Sequence, residues 1–89
     1  MPYIKLDDRR RFLADLDSIN QEFNERGVSR GDLNFLVSTL CKYYMDQHGQ
    51  SYSIINDIVG VLECAKMEFY RRVAVPYEDK KRTENGDVY

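Results

Sequence analysis

An all-α fold is the class this sequence predicts, on three observations. Apolar residues recur at spacings of three and four in each of three segments. Each segment is bounded by capping residues, glycine or proline, and nowhere does an alternation of period two persist long enough for a strand. The predicted architecture is a three-helix antiparallel arrangement, at about 7–26, 30–48 and 53–74, with a short kinked or fourth helix after Pro76. The expected organisation is a helical domain over 1–75 and a charged C-terminal extension over 76–89.

The first helix is carried by Phe12, Leu16, Ile19 and Phe23, with Asp7 or Asp8 as the expected cap and Gly27 as the stop. Ser29 and Asp32 then form a capping box with Asp in place of the usual Glu. The stripe Leu33, Leu36, Val37, Leu40, Tyr43 and Tyr44 follows, up to Gly49. Ser51 or Ser53 caps the third helix, whose Ile55, Ile58, Val59, Leu62, Ala65, Phe69 and Val73 keep the period until Pro76. A proline there removes a backbone donor and clashes with the preceding turn, so the helix must end or kink. Beyond it, acids precede bases and Asn85-Gly86 supplies a stop, the order that suits a helix dipole.

A chain of 89 residues has room for one domain. At this size only about 60–65% of the unfolded surface is buried, so self-association is a common supplement. Thirteen basic and fifteen acidic residues give a net charge of −2, well mixed, which offers no general field for nucleic acid or anionic membrane. No apolar run approaches a membrane span and no signal-peptide pattern opens the chain, so the expected compartment is the cytoplasm. Cys41 and Cys64 lack CxxC spacing and are expected as reduced, buried, structural thiols.

Catalytic patterns are lacking. His48, the lone histidine, sits beside Gly49 where a cation complements the helix C-terminus, and no second histidine completes a zinc set. There is no phosphate loop, HExxH or paired DxD motif; Asp57, Glu63 and Glu68 are the carboxylates that metal chemistry would have to use. The expectation is a binding module, not an enzyme, with no cofactor and no metal.

The stretches MPYIKLDDRRR, GDLNFLVSTL and INDIVGVLECAKMEFYRRVAVPYEDKKRTENGDVY resemble an uncharacterised family of small helical proteins carried by bacteriophages and prophages. That resemblance implies a phage-type origin and the usual occupations of small viral proteins: blocking, sequestering or redirecting a host component in the bacterial cytoplasm. It carries over no catalytic residue.

Two surfaces invite binding. Along one flank of the third helix, Asn56, Glu63 and Tyr70 stand seven apart, with Gly60 and Met67 beside them. A helix-interior glycine costs about 0.8–1 kcal/mol against alanine, so Gly60 reads as a notch for another backbone or a ligand. Val88 and Tyr89 extend this expected interface, although a solvated tail and flank is the plainer reading. Lys66 lies near the core stripe and is expected to snorkel or to pair with an acid, as on the first helix. The second surface is the helix end, where Arg71 and Arg72 between Tyr70 and Tyr77 offer guanidinium forks for phosphate and aromatic faces for a base. Arg71, nearer the Tyr70 flank, is assigned to ligand, and Arg72 to pairing with an acid. Arg9, Arg10 and Arg11 read as a solvated face, or as an anion patch if functional. The preferred function is a non-catalytic oligomer that sequesters an anionic small ligand such as a nucleotide immune signal. The alternative is a protein–protein regulator that inhibits or redirects a host protein.

Overall fold

The computed structural model describes residues 2–89, which are helical from Leu6 to Asn85 save for two short turns. Helix α1 spans Leu6–Arg26, α2 spans Arg30–His48 and α3 spans Tyr52–Phe69. The chain then runs through a π-helical turn, Tyr70–Ala74, into α4, Val75–Asn85. The described residues contain no strand, and the class is all-α.

The helix boundaries follow from local chemistry. The capping box is complete: the Asp32 N–H donates to the Ser29 hydroxyl at 3.0 Å and the Ser29 N–H to the Asp32 carboxylate at 2.8 Å, so the shorter Asp serves. Ser51, not Ser53, caps α3 by accepting from the Ile54 N–H at 3.2 Å. Gly27 and Gly49 end α1 and α2 at positive φ, 77° and 83°, each donating to the carbonyl four residues back. At α1 the expected cap is corrected. The helix starts at Leu6 behind Lys5, which makes no side-chain cap, and Asp7 and Asp8 lie inside the first turn. There they favour the helix dipole, while the exposed end leaves its free N–H groups to water.

Pro76 does not end the helical path. The π turn just before it takes in an extra residue, with the Val75 N–H donating to the Tyr70 carbonyl five residues back, and α4 opens with the proline in its first turn. A widened turn relieves the clash that a proline ring makes with the carbonyl four residues before it. The expected kinked fourth helix is therefore α4.

The helices build an open frame with no fully buried residue among those described. Helices α2 and α3 touch across the short turn between them, where the Tyr44 hydroxyl donates to Asp57 at 3.5 Å and Ile54, Ile58, Cys41 and Met45 are half-buried. This corrects the expected centre of the α3 stripe. Ile55, Leu62, Phe69 and Val73 are exposed, because α2 approaches from the Ile54 side, about 100° round the helix. Cys64 is likewise exposed, not buried, and Lys66 pairs with Glu63 of its own helix at 3.2 Å, not with an acid on α1. A second point closes the frame: the Tyr3 hydroxyl donates to Glu68 at the far end of α3.

Candidate functional site

The end of α3 is the most built part of the surface. Its residues line an open groove of about 660 Å³ with walls formed by Glu63, Cys64, Lys66, Met67, Glu68, Tyr70 and Arg71. Four of the residues expected to bind a ligand or a partner, Glu63, Met67, Tyr70 and Arg71, meet there. Asn56 stands two turns earlier along the same flank. Gly60 has nothing within 4 Å of where a Cβ would sit, so the notch faces open space and not the chain's own packing.

Glu68 organises the charge. Its carboxylate accepts from Arg71 Nη2 at 2.9 and 2.8 Å and from the Tyr3 hydroxyl, and its side chain is only 15% exposed. The Tyr3 bond, followed by the Arg71 bond, holds the Glu68 carboxyl below its ordinary range. The same contact raises the Tyr3 phenol, and Glu68 raises the Arg71 guanidinium. Arg72 acts on both Tyr3 and Glu68 by charge alone. Among the described residues it forms no hydrogen bond or ion pair, whereas every charge on the groove wall is paired. The expected division is thus reversed at the level of pairing: Arg71 is the arginine held by an acid, and Arg72 is the one left with its donors free.

The π turn also resets which side chains share a face. In an unbroken α-helix Tyr77, seven residues on, would lie over Tyr70. The inserted residue brings Glu78 there instead, and the Tyr70 hydroxyl donates to its carboxylate at 3.3 and 3.4 Å. Tyr77 lies under Lys81, whose Nζ is 5.6 Å from the ring centre. Neither Arg72 nor Tyr77 lines the groove. Val88 and Tyr89 border a separate shallow surface of α4.

The other candidates are used locally. Arg9 donates to the Ile4 carbonyl at 2.7 Å, Arg10 pairs with Asp7 at 3.3 Å and Arg11 lies over the Phe12 ring. His48 packs on Tyr44 with ring centres 4.4 Å apart. Sequence reasoning missed Tyr3 and the organising role of Glu68. The Glu68–Arg71 pair was visible as an acid three residues before a base, but nothing in a helical period points to Tyr3.

Residues 1–88 match the family described as a domain of unknown function, DUF6899. The chain belongs to that family. No curated protein and no solved structure matches it. No helix among the described residues is long and apolar enough to cross a membrane.

Proposed function

We propose that this protein is a non-catalytic binding protein that sequesters an anionic small molecule, of the nucleotide class, at the end of α3. One observation carries the reading: Glu68 pairs with Arg71 alone, and Arg72 beside it forms no ion pair among the described residues, leaving a guanidinium free next to a largely apolar groove with Tyr70 on its wall. Phosphate suits the free Arg72 fork, and a base suits the groove and the Tyr70 face. Arg71 contributes second, because an anion must share it with Glu68. The resemblance to small phage and prophage proteins supports a place in the bacterial cytoplasm, where capturing a nucleotide signal would blunt a host defence. The exposed Val88–Tyr89 end favours a second reading, in which that end engages a host protein.

Calorimetry of the full chain with mono-, di- and cyclic nucleotides and inorganic phosphate tests the proposal. A charge-assisted hydrogen bond is worth about 1.5–3 kcal/mol, so Arg72→Ala should weaken binding roughly ten- to a hundredfold and Arg71→Ala by less. Added salt should weaken it further. The absence of binding across the panel, or equal affinity in both variants, would overturn the assignment.

A further inference from the structure

We infer that this chain folds as a subunit of a homo-oligomer, in which copies cover one another's apolar stripes on α1, α2 and α3. The stripes are regular and exposed: Leu16 is 55% exposed on α1, Leu33 55% and Leu40 63% on α2, Val59 60% and Phe69 65% on α3. Scattered surface leucines are ordinary, but here apolar faces recur along three helices and, among the described residues, no side chain is buried beneath them.

Area decides the occupant. The chain exposes 8293 Å², whereas a finished monomer of 10.5 kDa exposes about 5,400 Å², leaving roughly 2,900 Å² of surplus. Its radius of gyration is 16.8 Å against about 12 Å for a compact domain of this length. Shared between copies, a surplus of that size falls in the class of obligate interfaces, about 2,000 to more than 5,000 Å² in total, and well above transient contacts. A chain whose stripes have no cover of their own lacks the buried area that makes a monomer stable, so its cover must be present from synthesis. A second copy meets that condition without a separate partner, and the mixed charge, net −2, sets up little repulsion between copies. Failure of nucleotide binding would leave this inference standing, since it rests on other residues.

The test uses the purified full chain. Sedimentation and thermal melting are followed by helicity across a roughly hundredfold concentration range. The expected result is a particle of more than one chain whose melting midpoint rises with concentration. Leu40→Glu and Val59→Glu should each raise the dissociation constant roughly a hundredfold, because a charge then enters the contact unpaired. In a finished monomer with these positions in water, neither change would matter. A wild type that sediments as one chain and melts at a midpoint independent of concentration would overturn the inference. So would an assembly indifferent to both substitutions, or one that requires a different protein in fixed ratio. If a variant fails to fold, the wild-type dilution series still decides.

Discussion

Glu68 is where the N-terminal segment meets the end of α3, and its titration makes that meeting measurable. Folded Glu68 gives up its proton more readily than the unfolded chain does, because Tyr3 and then Arg71 bond its carboxylate. Its contribution is therefore present above the ordinary carboxyl range and fades as pH falls through the depressed value. Tyr3 runs the other way: its raised phenol contributes fully below the ordinary tyrosine range, and the contribution is lost as pH rises through the raised value. The clasp should hold through neutral pH and open at both extremes. Tyr3→Phe removes the first of the two bonds, so NMR titration of the Glu68 carboxyl should show its midpoint moving up toward the ordinary glutamate range, with Arg71 still attached. An unmoved midpoint would show that Tyr3 does not hold Glu68. The effect on global stability should be small, since Tyr3 is 55% exposed and its bond to Glu68 is exchanged for bonds to water.

At the scale of elements, the stops and the caps of α2 and α3 were legible because they are local, whereas α1 starts behind Lys5 and not at Asp7 or Asp8. Ser29 with Asp32, Ser51, Gly27 and Gly49 act through bonds spanning three or four residues, and each sits where its type and spacing place it. The π turn was legible only as a disturbance. Pro76 announces that a regular helix fails, but the choice between ending, kinking and widening depends on geometry that spacing does not encode. That choice matters, because the inserted residue pairs Tyr70 with Glu78 and sends Tyr77 elsewhere. Replacing Pro76 with Ala should let the turn tighten to α-helix. Proline in a regular helix interior costs about 3 kcal/mol against alanine, and part of that should return as a higher melting midpoint. NOE contacts should then join Tyr70 to residue 77 in place of 78, and nucleotide binding should fall as Arg72 rotates. A Tyr70–Glu78 contact that survives would mean the proline does not hold the π turn.

For the whole molecule, the periodicity of Phe12, Leu16, Ile19 and Phe23 showed which faces want cover but not what provides it. A stripe facing its own chain and one facing another copy are the same pattern in a sequence. The half-buried Ile54 and Ile58, beside the exposed Ile55 and Leu62, show how finely the choice turns on helix placement. Of the candidate site, Glu63, Tyr70 and Met67 were legible as a flank and Arg71 as part of the helix end, whereas the clasp from Tyr3 and the freedom of Arg72 needed three dimensions. The proposed homo-oligomer can be read from amide hydrogen exchange along the stripes. Helical stability in proteins comes mostly from packing of an amphipathic face, so a frame whose faces are uncovered exchanges fast. Strong protection is expected at Leu33–Tyr43 and Ile55–Leu62 at working concentration, lost on dilution as the copies separate. Fast exchange at every concentration, or protection that persists unchanged in the dilute monomer, would contradict it.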